Sequence, residues 1–260
     1  MTVFATAPDG VRIAYEMVGE GERFVVLVHG FASDRVQNWK APGWYATLTG
    51  AGYRVLALDC RGHGESGKPH DPAFYGHDKM ATDVIAVMND AGVGTAMLMG
   101  YSMGGYISMS LLLRQAERFT KVVIGGVGAS YLDLAAAEAS VADPARRAMI
   151  ADALVAEDVS TITNRTARDF RAFADQAGKD RLALAACMRG NRDAFSKEQL
   201  AASTRPVLVV CGEADVLTGP PGPLAAAFAN GRAVTVPGRD HMTAVGDKVY
   251  KQAALDFLAT

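Results

Sequence analysis

The sequence predicts an α/β domain: a mainly parallel, twisted sheet with helices on both faces and a helical cap inserted before its last strands. Three observations predict it. Short runs that are apolar on both faces recur along the chain, segments of helical length alternate with them, and one long stretch breaks that alternation with helix formers alone.

The elements follow in order. Residues 2–7 and 11–17 read as a hairpin about Pro8-Asp9-Gly10, the second arm alternating apolar and polar. The runs 24–28, 53–58, 95–99, 121–124, 206–210 and, more briefly, 233–236 have the composition of strands covered on both faces. Segments 44–51, 77–91, 103–116, 224–229 and 243–258 have helical length. From 129 to 203 no strand is convincing. Asp143-Pro144 predicts an N-cap with proline at the first helical position. Ser160 reads as another cap, after which Ile162, Thr166, Phe170 and Phe173 fall on one face. The expected division is a core of 1–128 and 204–260, with a helical cap, 129–203, over the carboxyl edge of the sheet, where open α/β folds bind ligands.

Composition excludes several classes. With 260 residues, half of them apolar, the chain is long enough for one full-sized domain with an insertion. A net charge of −2 and a longest basic cluster of only Arg146-Arg147 leave no footprint for nucleic acid, and that pair reads as a solvated helix face. The apolar runs are strand-length, so no membrane span is expected. The first ten residues lack a basic start followed by an apolar stretch, so no signal peptide is expected. Cys60, Cys187 and Cys211 form neither an even set nor a CxxC pair and read as buried thiols of a reducing compartment, which predicts a cytoplasmic protein. Cys60 and His63 stand at CxxH spacing without a second pair, so no metal is expected. Gly125-Gly126-Val127-Gly128 lacks the last glycine of a dinucleotide fingerprint, and no cofactor is expected. The partner expected is a small molecule, and no oligomeric state is encoded in the sequence.

The strongest chemical signal is Gly100-Tyr101-Ser102-Met103-Gly104, followed by Gly105, between a predicted strand and a predicted helix. A serine on so sharp a turn is lifted off the sheet edge, and the residues two positions away must be small to avoid collision. A hydroxyl needs a base. Among the five histidines, His29 at the end of the strand 24–28 and His63 in the glycine-rich turn 61–67 read as loop-shaping, while His70 and His77 flank a loop and read as solvated. His241 follows the last predicted strand, on the same sheet edge as Ser102, and is the candidate base. The imidazole in turn needs a carboxylate to fix its tautomer. Asp215, just past the strand 206–210, is the candidate, with Glu213 as runner-up, while Asp240 adjoins the base too closely in sequence to share that bond. The oxyanion hole is expected from the backbone amides of Met103 and Phe31.

With these residues in hand, the chain resembles the capped α/β-hydrolase superfamily. The resemblance covers roughly 1–128 and 205–260. It is carried by His29-Gly30-Phe31, Trp39, residues 52–55, Asp59 to Ser66, the turn at Gly100 to Gly105, Gly212 to Asp215, and His241. Ser102, Asp215 and His241 occur in the chain order associated with that fold. The last loop departs slightly, with Asp240 where many relatives have glycine before the histidine. The resemblance implies a serine hydrolase acting through an acyl-enzyme. Epoxide hydrolases and haloalkane dehalogenases resemble this framework but place aspartate where Ser102 stands. Ester hydrolysis is the expected reaction. Cofactor-free perhydrolysis by a haloperoxidase-like enzyme, carbon–carbon bond hydrolysis on the same triad, and a non-catalytic ligand-binding receptor are the alternatives. In the cap, Phe170, Phe173 and Met149 are the candidate pocket residues, while Arg146, Arg165 and Arg168 are expected on outer faces. An apolar roof of that kind predicts a small to medium, largely uncharged ester.

Overall fold

The computed structural model describes residues 1–133, 140–176, 178–192 and 194–260. Eight strands form one sheet: β1 (Val3–Thr6), β2 (Arg12–Val18), β3 (Arg23–Val28), β4 (Tyr53–Leu58), β5 (Ala96–Tyr101), β6 (Phe119–Gly125), β7 (Val207–Gly212) and β8 (Gly231–Val236). Their order is β1-β2-β4-β3-β5-β6-β7-β8. β1 and β2 pair antiparallel, as does β2 with β4, and every pairing among β3 to β8 is parallel. The predicted hairpin therefore becomes the antiparallel edge of a mainly parallel sheet.

Around the sheet lie α1 (Trp44–Gly50), α2 (His77–Asp90), α3 (Met103–Arg114), α8 (Gly222–Ala226) and α9 (Lys248–Ala259). The period-2 alternation of each strand sorts its side chains onto the two faces. Val26, Val28, Leu56, Leu58, Leu98 and Val122 join the apolar cluster that includes residues of α2, α3 and α8. Val25, Leu27, Val55, Ala57, Met99 and Val123 join the cluster of α1 and α9, around Trp44, Leu48, Tyr250 and Phe257. Most of these side chains are fully buried, each worth roughly 1.5–3 kcal/mol of apolar burial. This is why the strands read as apolar on both faces.

Between β6 and β7 stand α4 (Pro144–Val155), α5 (Arg165–Ala174), α6 (Arg181–Arg189) and α7 (Lys197–Ala201). The first three pack around a third cluster of Ile150, Leu154, Ile162, Ala167, Leu184 and Met188, with Ala32 from the loop after β3, while Leu200 of α7 joins the cluster of α2, α3 and α8. Asp143 caps α4 by accepting from the Ala145 amide, as expected of Asp143-Pro144. Ser160 does not cap a helix. It lies in a single turn, Val159–Thr161, whose cap is Asp158, and α5 begins after Asn164, which accepts from the Ala167 amide. Asparagine serves the cap as well as serine does. Buried Arg171 closes the far end of α4, donating to the carbonyls of Ala153 at 2.9 Å and Ala156 at 2.7 Å. The last helix starts at Lys248, later than its apolar pattern suggested. Asp247 caps it, and a separate turn, Ala244–Gly246, precedes it. No helix among the described residues is long and apolar enough to cross a membrane.

Candidate active site

Three loops at the carboxyl ends of parallel strands converge on one point. Ser102 follows β5, Asp215 follows β7, and His241 follows β8. Ser102 sits at φ 51° and ψ −114°, one of two described non-glycine residues with positive φ. Such backbone strain costs about 1–3 kcal/mol and persists only where its surroundings enforce it. Here its amide donates to the Gly125 carbonyl at 2.7 Å, and its own carbonyl accepts from Gly105 at 2.8 Å and Tyr106 at 3.2 Å. The neighbouring glycines make the turn possible. A Cβ on Gly104 would stand 2.0 Å from the Val28 carbonyl oxygen, and one on Gly100 would stand 2.1 Å from the Gly104 oxygen. We expect Gly104→Ala to lower unfolding free energy by about 3 kcal/mol, because backbone on both sides leaves little room to relax. A urea titration unchanged from the parent would contradict that packing.

Ser102 Oγ lies 2.9 Å from His241 Nε2, and His241 Nδ1 lies 2.7 Å from Asp215 Oδ2. The network fixes the tautomer: Nδ1–H donates to the carboxylate, which leaves Nε2 to accept the serine proton. The other oxygen of Asp215 accepts from the amides of Leu217 at 3.0 Å and Thr218 at 3.1 Å. Burial pushes the Asp215 carboxyl up, but His241 and the bonds from Thr218 and Leu217 outweigh it and hold the group below its ordinary value. It remains an anion beside the imidazole. The His241 loop is pinned by Tyr101, whose hydroxyl donates to the His241 carbonyl at 2.6 Å.

The two rejected carboxylates have other work. Glu213 is exposed and accepts from the Gly238 amide at 2.8 Å. Asp240 is exposed and accepts from the Met242 and Thr243 amides, at 3.1 and 2.9 Å. His29 and His63 shape loops. Buried His29 donates from Nδ1 to the Gly30 carbonyl at 2.7 Å and accepts the Cys60 amide on Nε2 at 2.8 Å. Burial holds it below its ordinary value, and it pushes buried His63 down to about 3. His70 is exposed and pairs with Asp180 at 2.9 Å. His77, expected in solvent, is instead buried, stacked on Tyr106 at 5.4 Å between ring centres. No local pattern signals this, because the ring is covered by residues remote in the chain.

The Met103 amide is the first of α3 and so has no intrahelical acceptor. The loop carrying Phe31 is held by Asn38, whose side-chain oxygen accepts the Gly30 amide at 2.9 Å. Phe31, Ser102, Met103 and His241 all line one cavity of about 1660 Å³ between the sheet edge and α4 to α6. This exceeds the usual volume of a small-molecule pocket, which is about 300–1,000 Å³. Phe170 and Phe173 line it, and Phe170 lies 5.9 Å from Phe31 between ring centres. Met149 is not among its lining residues. It packs instead against the apolar cluster of α4 to α6. The expected sorting of arginines also needs correction. Arg168 faces outward, donating to the Ile162 and Thr163 carbonyls, and Arg165 is 90% exposed at the cavity's rim, but Arg146 lines the cavity, with Arg147 and Arg192. The roof is thus apolar in part and cationic in part. Sequence reasoning also missed Asn38, Tyr101 and Tyr106, for which only tertiary contact supplies a signal.

A hydroxyl, an imidazole and a carboxylate in series, with backbone amides beside them, can deliver a nucleophile to a carbonyl and stabilise the resulting oxyanion. The comparisons agree in kind. A model of the alpha/beta hydrolase family matches residues 25–249. The chain is 26% identical over 224 residues to 3-oxoadipate enol-lactonase 2 of Acinetobacter baylyi, covering 82% of this chain and 79% of that one. A solved hydrolase from Pseudomonas aeruginosa superposes with a TM-score of 0.80 at 27% identity, covering 100% of this chain and 98% of that one. A solved thermophilic esterase from Thermogutta terrifontis gives 0.76 at 25% identity, over 100% and 98% of the two chains. The first curated relatives are matched over less than half their own length, 41%, 29% and 20%.

Proposed function

Because the chain belongs to the alpha/beta hydrolase family, we propose that it is a serine hydrolase cleaving a small to medium carboxylic ester, open or cyclic, that is largely uncharged about the reacting bond. The observation that carries this reading is the continuous hydrogen-bonded series from Ser102 through His241 to Asp215, at 2.9 and 2.7 Å. Likeness to a lactonase and an esterase supports the choice of bond.

In this reading Ser102 Oγ attacks the ester carbonyl as its proton passes to His241 Nε2. The oxyanion is met by the amides of Phe31 and Met103. His241 then returns the proton to the departing alcohol, leaving an acyl-enzyme. Water, deprotonated by the same nitrogen, releases the acid and restores the hydroxyl. Asp215 stays ionised throughout and steadies the imidazolium.

The reading is tested with a fluorophosphonate probe and a series of para-nitrophenyl esters. Covalent labelling at Ser102 together with turnover of short-chain esters is expected, and an unlabelled, inactive protein would make it a binding protein of the same fold. The aromatic part of the roof should set acyl length. We expect Phe170→Ala and Phe173→Ala to shift the ratio of butyrate to octanoate turnover by no more than about 1–3 kcal/mol per methylene accommodated, with labelling of Ser102 retained. Equal effects on both esters would remove these rings from the pocket.

A further inference from the structure

Beyond Ser102 the cavity runs into a region whose walls carry half-buried cations. Arg147 of α4 and Arg192, just past α6, both line it. Arg192 donates to His77 Nε2 at 2.9 Å and to the Cys187 carbonyl at 2.9 Å, while Arg147 donates to the Ala142 carbonyl at 2.7 Å. None of these acceptors brings a compensating charge. Burial, reinforced by the two guanidiniums, drives His77 well below its ordinary value, so its ring is neutral. Burial first, and then Arg192, pulls Arg147 down as well. Among the described residues no carboxylate lies within ion-pair distance of either arginine.

The third component is Tyr106, which lines the same cavity one turn after Ser102 on α3. Its ring is held between His77, at 5.4 Å, and Tyr131, at 5.7 Å. Its hydroxyl oxygen is buried and has no hydrogen-bond partner. A buried donor left unmade is costly, and two half-buried guanidiniums beside it, with only Asp143 as a more distant counter-charge to Arg147, leave the wall short of negative charge unless something binds there. A carboxylate would satisfy all three, because guanidinium N–H groups remain free for it and the phenol supplies a further donor.

Resting on the assignment of Ser102 above, we propose that Arg147, Arg192 and the Tyr106 hydroxyl form a carboxylate-binding subsite, so that the substrate's acyl group ends in a second, distal carboxylate. The acyl side follows from the proton path. His241 protonates the departing alcohol, so that group lies toward the β8–α9 loop, whereas the cations stand on the α2, α3, α4 and α6 side. Tyr106 is four residues beyond Ser102, about 6 Å of helix rise, so the anion sits several bonds from the reacting carbonyl. The substrate is therefore uncharged about its ester bond and anionic at its far end, which departs from the wholly apolar roof expected from sequence.

The test compares the para-nitrophenyl monoester of adipic acid with para-nitrophenyl hexanoate, equal in length and differing in a terminal carboxylate against a methyl group. At low salt, kcat/KM is expected to favour the adipate ester by roughly 10- to 100-fold, the preference shrinking as salt is added. It should collapse in Arg192→Met and Arg147→Met, and fall in part in Tyr106→Phe, which deletes a hydroxyl that holds no other group in place. Thermal unfolding and fluorophosphonate labelling verify that each variant is folded and open. No preference in the parent protein, or an unchanged preference in labelled variants, overturns the subsite. If neither ester is hydrolysed and Ser102 is not labelled, the hydrolase reading has failed instead. Calorimetric titration with adipate then decides the subsite by itself: binding lost with Arg147 and Arg192 upholds it, and no binding to the parent overturns it.

Discussion

Ser102→Ala is expected to lower ester turnover by roughly 10⁴- to 10⁶-fold while leaving the protein folded. The backbone at Ser102 is held at φ 51° by its own amide and carbonyl bonds, neither of which involves the side chain. Alanine inherits that strain without adding to it. What disappears is the oxygen proposed to form the acyl-enzyme, together with its 2.9 Å bond to His241. Residual turnover would come from the amides of Phe31 and Met103 and from ground-state binding, which is why the loss has a floor. Single-turnover kinetics with an aryl ester would show no burst. A burst retained in the alanine variant would assign the nucleophile elsewhere.

Asp215→Asn should cost on the order of 10⁴ in kcat, against little change for Glu213→Gln. The fold around Asp215 should survive, since the amides of Leu217 and Thr218 can still donate to the asparagine oxygen. That orientation turns the side-chain NH₂ toward His241 Nδ1, where a carboxylate oxygen stood at 2.7 Å. The imidazole must then accept at Nδ1 and carry its proton on Nε2, the tautomer that cannot take a proton from Ser102. Stability should change with the same substitution in a pH-dependent way. The Asp215 carboxyl is held below its ordinary value in the folded chain, so it contributes stability above that ordinary value, and the contribution is lost as pH falls through the depressed one. The parent should lose stability toward acid more steeply than Asp215→Asn. Glu213, exposed and bonded to the Gly238 amide, offers no such linkage to the base. The reverse ranking of the two carboxylates in kcat would transfer the orienting role to Glu213.

Much of this protein was legible before any coordinates. Strands buried on both faces have to be apolar on both, so Val25 to Val28 and Val207 to Val210 announced a covered parallel sheet. The turn at Ser102 was legible because steric exclusion acts through near neighbours: Gly100 and Gly104 are small where the backbones of β3, β5 and α3 nearly touch. Chain order and loop position singled out Asp215 and His241, because parallel strands all deliver their carboxyl ends to one edge. Element boundaries were less secure where two capping residues competed, as with Ser160 and Asn164, or where a turn imitated the start of a helix, as before Lys248.

The amino-acid pattern by itself thus determined the fold class, the position of the sharp turn and the three residues proposed to act in series. Those features depend on local sterics and on periodic burial, which are written along the chain. The cavity's character was decided only by tertiary structure. Arg147 was read as solvated and His77 as a loop histidine, because nothing near either in sequence says what will cover it. Packing of α4 and α6 over α2 and α3 brought Arg147, Arg192, His77 and Tyr106 together from four separate segments. Charge that is cheap in water becomes costly once burial removes it from solvent, and burial is a property of the assembled fold.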